Sequence, residues 1–216
     1  MGTTKRKKGD GRILLHVGKE LFSEGSNIML VPGPQKAQGR GVYCSEDIRM
    51  KYSGSEAFKK KLVTTPIFCI PMIGTWTRGK SKKKGGEITY HTNERMIALF
   101  DLQSFEGEID GNSVIYYYPN EAIFFKEPDI ERSGRHIVSK FSNQILEGKI
   151  DFDEAIQDLN EEYNEMGEYV EQEQILEAIV RAMNEGRIAE DSKPKEQLAE
   201  LRLNKEGRER MKMNYR

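Results

Sequence analysis

His16 closes the short apolar run Ile13-Leu14-Leu15-His16-Val17-Gly18, and 27 residues later Tyr43 stands in the segment Gly39-Arg40-Gly41-Val42-Tyr43-Cys44-Ser45. A histidine at a strand end can offer one ring nitrogen to a ribose hydroxyl while the backbone fixes the other. Glycines such as Gly18 and Gly41 leave N–H and C=O open to a carboxamide, because no side chain blocks close approach. An exposed tyrosine face can stack on a flat heteroaromatic ring. Those are three requirements for gripping the nicotinamide end of NAD. Each residue alone also has a plainer reading: a core histidine, turn glycines, a packed tyrosine.

A second cluster is electrostatic. Arg78 to Gly86 holds five cations and three glycines, with Trp76 just ahead of it. Lys82, Lys83 and Lys84 there would gain from counterion release on a phosphate backbone, and Trp76 could stack on an unpaired base. A mobile solvated loop is the ordinary alternative. His91 and His136 have no metal-ligand spacing around them, so no metal is expected. Cys44 and Cys69 sit singly in apolar runs, which points to packing in a reducing compartment and hence to the cytoplasm.

The elements that must position these residues follow from pattern. Ile13–Gly18, Gly41–Ser45, Pro66–Gly74 and Glu87–His91 read as strands. Val31–Gly41, with two prolines and three glycines, reads as a loop. Ser55–Leu62 reads as a short helix, and Thr92 as the cap of another carrying Met96, Ile97, Leu99, Phe100 and Leu102. Ser113–Tyr118, a Pro119-Asn120 turn and Ala122–Phe125 read as a hairpin. Beyond Pro128 the pattern is helical. Asp151 with Glu154 is a capping signature. A second helix carries Tyr169, Ile175, Leu176, Ile179 and Val180 and closes at Gly186. A third, highly charged helix runs from about Pro194.

Strands with one or two small helices, then helices alone, predict an α+β fold with a helical C-terminal region. The expected layout is a disordered basic tail over 1–11, a domain over 12–128 and an acidic helical region over 129–216. The first 128 residues carry 20 Lys and Arg against 14 Asp and Glu, a balance of +6, whereas the remainder has a balance of −7. The two halves either attract each other, or the basic half takes an anionic partner while the helical half binds a regulatory protein. No apolar run approaches the ~20 residues needed to span a bilayer, and the polar N-terminus has no secretory apolar core. No membrane association is expected.

His16-x-Gly18, Gly39-Arg40-Gly41-Val42-Tyr43 and the closing segment Val114–Glu127 (VIYYYPNEAIFFKE) occur in that order. This arrangement resembles the diphtheria-toxin-like and poly(ADP-ribose)-polymerase-like ADP-ribosyltransferases over roughly residues 12–127. The resemblance implies a split pair of small sheets gripping bent NAD as substrate, and a toxin-like transferase modifying a macromolecule. His16 would bind the ribose and carboxamide, Gly18 would pair with the carboxamide, Tyr43 would stack on nicotinamide, and Gly41 would line the pocket. Cleavage of the nicotinamide–ribose bond builds oxocarbenium-like charge that a carboxylate stabilises. The family's usual Glu before the last hairpin is replaced by Ser113, which implies mono-ADP-ribosyl transfer without chain elongation. Glu94 is the first candidate to supply a carboxylate, with Glu108 and Glu121 behind it. Some relatives modify nucleic acid and others protein, and the basic loop favours nucleic acid slightly. The other reading is a non-catalytic nucleic-acid or protein-binding module on the same scaffold.

Overall fold

The computed structural model describes residues 4–18, 22–30, 32–36, 39–48, 66–80, 88–92, 95–109, 111–125 and 168–214. The expected helices at Ser55–Leu62 and after Asp151 lie outside these residues. So do Glu94 and Lys82, Lys83 and Lys84.

The apolar runs become strands. These are β1 (Thr4–Lys8), β2 (Ile13–Val17), β3 (Ile28–Leu30), β4 (Gly33–Lys36), β5 (Gly39–Gly41), β6 (Tyr43–Ser45), β7 (Ile67–Pro71), β8 (Thr75–Lys80), β9 (Ile88–His91), β10 (Ile97–Ile109), β11 (Asn112–Phe124) and β12 (Glu168–Val170). Two helices follow, α1 (Gln172–Asn184) and α2 (Ser192–Asn214). One large sheet runs in the order β1-β8-β9-β6-β2-β7-β11-β10-β3, with β12 added on β11, and β4-β5 form a separate ribbon. These pairings are antiparallel except β7–β11. The fold is mixed α+β, a large sheet with two C-terminal helices.

The sheet has a weak seam. β2 pairs with β7 along its whole length, but with β6 only at Leu15 opposite Ser45. One aligned pair therefore joins β1-β8-β9-β6 to the remaining strands. Hydrogen bonding is continuous, so two separate sheets, as the resemblance implied, do not form.

Both helices cover one face. Side chains alternate along a strand, so Tyr116 and Tyr118 point away from Tyr117. The Tyr118 hydroxyl donates to Gln197 of α2 at 2.7 Å, and a Cβ built on Gly107 would lie 2.5 Å from Ala189 and 2.8 Å from Tyr116. Arg187 donates to the carbonyl of Ile13 at 2.8 Å. Ile175, Leu176, Ile179 and Met183 of α1 are buried in the same core as Ile13, Leu15, Cys69 and Tyr118. Gly186 (φ +66°) ends α1: its N–H donates to Met183 O and that of Arg187 to Ala182 O, at 2.8 and 3.0 Å, a Schellman closure.

Several expectations are corrected. Thr4–Lys8, assigned to a disordered tail, forms β1, because alternate basic side chains can leave a sheet edge while the backbone pairs with β8. Val31–Gly41, expected as a loop, contains the β4-β5 ribbon. The helix after Thr92 is the strand β10: Ile97, Ala98 and Leu99 are all buried between β11 and β3, and a strand covered on both faces imitates a helical stripe. Pro119-Asn120 is no turn. β11 runs through it, and the hairpin closes between Ile109 and Asn112, with Gly111 at φ +77°. Tyr169 lies in β12 and not in the second helix, and the described residues from Glu168 on share strand pairing and core with the first half.

Candidate functional site

β2 and β6 deliver His16 and Tyr43 to the seam. The His16 Nδ1 lies 2.9 Å from the Tyr43 carbonyl. A carbonyl only accepts, so Nδ1 carries the proton and Nε2 of the neutral ring holds the lone pair. Carried past the Leu15–Ser45 pair, strict alternation would set His16 beside Cys44 and Tyr43 beside Val17. The imidazole spans that step by bonding to backbone. Both side chains are half-buried.

Each has an aromatic setting. Tyr43 stacks on His91 across β6–β9, with ring centroids 5.3 Å apart and planes at 30°. His16 faces Phe68 at 6.3 Å, and Phe68 in turn meets Tyr117 at 5.7 Å and Phe22 at 5.6 Å. The Tyr117 hydroxyl donates to the Phe22 carbonyl at 2.5 Å, pinning this wall. Phe68 and Tyr117 escaped the sequence reading, and His91 entered it only as a possible metal ligand, because strand pairing, not spacing, brings them in; their aromatic character inside strand-like runs is the local signal.

A polar framework holds Tyr43. The Val42 N–H donates to Thr92 Oγ1 at 3.0 Å, and Thr92 Oγ1 donates to the Arg95 carbonyl at 3.0 Å. Arg95 is 3% exposed and donates to the carbonyls of Thr92, Ile73 and Thr75 at 3.2, 3.0 and 2.6 Å. Its charge is buried against three carbonyl dipoles. It also lies over Trp76, 5.9 Å from the ring.

The two glycines are explained by packing. A Cβ on Gly41 would sit 3.1 Å from both His91 Nδ1 and Thr92 N. A Cβ on Gly18 would sit 2.7 Å from the Phe68 ring and 3.0 Å from Pro66, and the Gly18 N–H already donates to Pro66 O at 2.9 Å. This corrects the expectation that Gly18 offers its N–H to a carboxamide, since that N–H is already bonded.

Trp76 is fully buried, its Nε1 donating to Ile73 O at 2.7 Å. Stacking on a base is excluded for it, because the ring packs on Phe124 in the interior. Ser113 is exposed and pairs with Glu108 across β10–β11. It shares the face of Tyr117 but lies four residues along β11, about 13 Å away at strand rise. Glu121 bonds to the Tyr169 hydroxyl at the other end of β11. It lines a cavity of about 520 Å³ with Tyr169, Glu173, Leu201, Lys205 and Arg208. That cavity lies apart from His16 and Tyr43, and the ion pair of Glu173 with Lys205 at 3.0 Å crosses it.

Burial pushes the Cys69 thiol up to about 12, so it stays protonated and unreactive at neutral pH. Among the described residues, no group of three His, Cys, Asp or Glu side chains is placed to hold a metal ion. Among them, too, no helix is long and apolar enough to cross a membrane. No family model, curated protein or solved structure matches the chain.

Proposed function

We propose that the chain is an NAD-dependent mono-ADP-ribosyltransferase acting on a macromolecular acceptor, with a cytoplasmic setting and an ADP-ribosyltransferase-type fold whose two groups of strands are joined at the β2–β6 seam. The observation that carries this is the bond from His16 Nδ1 to the Tyr43 carbonyl. Two motif residues 27 positions apart meet where the sheet is joined by one pair. A seam offers what an intact sheet does not: backbone and side chains that can part around a flat ligand.

In this reading the Tyr43 carbonyl orients the imidazole, and Nε2 accepts from a ribose hydroxyl of the nicotinamide nucleoside. Tyr43, backed on one face by His91, stacks its other face on the nicotinamide ring. Nicotinamide leaves with the bonding electron pair, the ribose carbon becomes oxocarbenium-like, and an acceptor nucleophile bonds to it and loses its proton. The Gly18 carbonyl accepts from the carboxamide N–H. Glu106, Glu108 and Glu121 are described carboxylates that the register sets on the His16 side of the sheet, and Glu94 follows the end of β9 in sequence.

Nicotinamide release from NAD tests the reading. His16→Ala and Tyr43→Ala should each lower the rate at least ~100-fold, the size of effect expected for a positioned polar or stacking group. Tyr43→Phe, which keeps the ring, should restore most of it. The melting temperature of each variant is read alongside, to separate lost chemistry from lost fold. No release by the intact chain, with no NAD-induced rise in melting temperature, would remove the proposal.

A further inference from the structure

The edge strand β1 reads Thr4-Lys5-Arg6-Lys7-Lys8, four consecutive cations and no acid. Lys7 is drawn inward: its ammonium lies 3.6 Å from Asp10 and 5.8 Å from the centre of the Tyr90 ring. Lys5, Arg6 and Lys8 are exposed, and none has an acidic partner among the described residues. On the neighbouring strand β8, Arg78 lies opposite Lys5 and Tyr90, on the face away from Arg6 and Lys8. Along β1 Arg6 and Lys8 share one face and Lys5 and Lys7 the other, so this edge carries positive charge on both sides in a chain whose net charge is −1.

Register fixes where the line lies. Arg6 is opposite Thr77, Thr77 opposite His91, and His91 opposite Tyr43. Opposite residues share a face, so these four form one row across four strands. At the usual strand spacing, three steps place Arg6 about 14 Å from Tyr43. Of the two residues between them Thr77 is small and His91 is buried, and Lys8 flanks Arg6 on the same side through its pairing with Thr75.

We infer that this edge binds the phosphate backbone of a nucleic acid, independently of base sequence, and leads the strand along the row toward Tyr43. Charge is the argument. Exposed lysines and arginines without an acidic partner among the described residues release condensed counterions when they meet phosphates, and Arg6 and Lys8 stand together on the face of the row that leads to Tyr43. With Trp76 buried, recognition by stacking from that residue is excluded, which leaves affinity carried by charge. Lysines on an edge strand also hinder edge-to-edge aggregation, and the experiment separates the two roles. Binding needs neither NAD nor turnover, so this inference stands or falls apart from the transferase reading.

The test is fluorescence anisotropy of a labelled single-stranded 20-mer with the full chain, from low to moderate salt. The Lys5→Gln, Arg6→Gln, Lys8→Gln variant should bind at least 10-fold more weakly at low salt. Its slope of log K against log salt should fall by about 1.5–2, because Arg6 and Lys8 on the row's face no longer neutralise phosphates. Arg6→Gln alone, with little effect on the edge, should lower the slope by about 1. Lys195→Gln, on the helical side, should change neither. Unaltered affinity and slope in both edge variants would overturn the inference, and aggregation without loss of binding would assign the lysines to edge protection alone. Equal binding of a polyglutamate peptide at the same salt would overturn nucleic acid in favour of an acidic protein.

Discussion

His16 is tied to the fold through Nδ1 and faces Phe68 through its ring, and Gly18 two residues later decides how closely that ring can sit. The contact of a Gly18 Cβ with Phe68 would be 2.7 Å, and neither neighbour yields easily: Phe68 is wedged between Phe22 and Tyr117, and Pro66 is a rigid ring. Gly18→Ala should therefore destabilise the protein by about 1–3 kcal/mol, the usual range for overpacking. Thermal denaturation reads this directly, and an unchanged midpoint would mean that the aromatic wall is looser than the distances indicate. The types of His16, Gly18, Gly41 and Tyr43 were visible in the sequence as a possible ligand grip. Their neighbours were not, since Phe68 and His91 arrive by pairings that no local spacing encodes. Trp76 was misjudged for a related reason: its position beside a basic run suggested exposure, while its place in a strand turned it inward.

Strands and helices are linked across long sequence distances by a few polar groups, and Glu24 is one that responds to pH. Its carboxylate accepts from Lys193 of α2, and also from the N–H and hydroxyl of Ser104 in β10, at 3.1 and 3.0 Å. The Lys193 hydrogen bond above all holds the Glu24 carboxyl below its usual range. A depressed folded-state value means that the stabilisation is present above the ordinary carboxylate pKa and is lost as pH falls through the lowered one. Glu24→Gln should thus cost at most about 1 kcal/mol at pH 7, being largely solvent-screened. Its curve should converge with the parent's below about pH 4. Denaturant titrations at both pH values check this; a constant gap would assign the effect to packing. At this scale the sequence was legible where burial is one-sided or runs are short, as in β2, β7, β9 and α1. It misled where burial is two-sided, as in β10, and where a proline interrupts a strand without ending it, as at Pro119 opposite Leu102.

For the whole molecule, opposite charge in the two halves proves to accompany direct packing. β12 extends the sheet at Ala122–Phe124, and α1 buries its apolar side on the strands of the first half. A chain ending at Pro128 would leave Leu15, Cys69 and Tyr118 uncovered. It should be insoluble or lack a cooperative melt; a soluble 1–128 fragment melting like the parent would show that the helices are dispensable. The reach of Arg187 to the carbonyl of Ile13, 174 positions back, has a consequence for biogenesis. The ribosome releases the earliest central strand long before the helix that roofs it exists, so that strand stays uncovered until the helical region has been made. Folding of this core is then slow, as expected of chains dominated by distant pairings, and the stretch most exposed to misassembly during that wait is the one that carries His16.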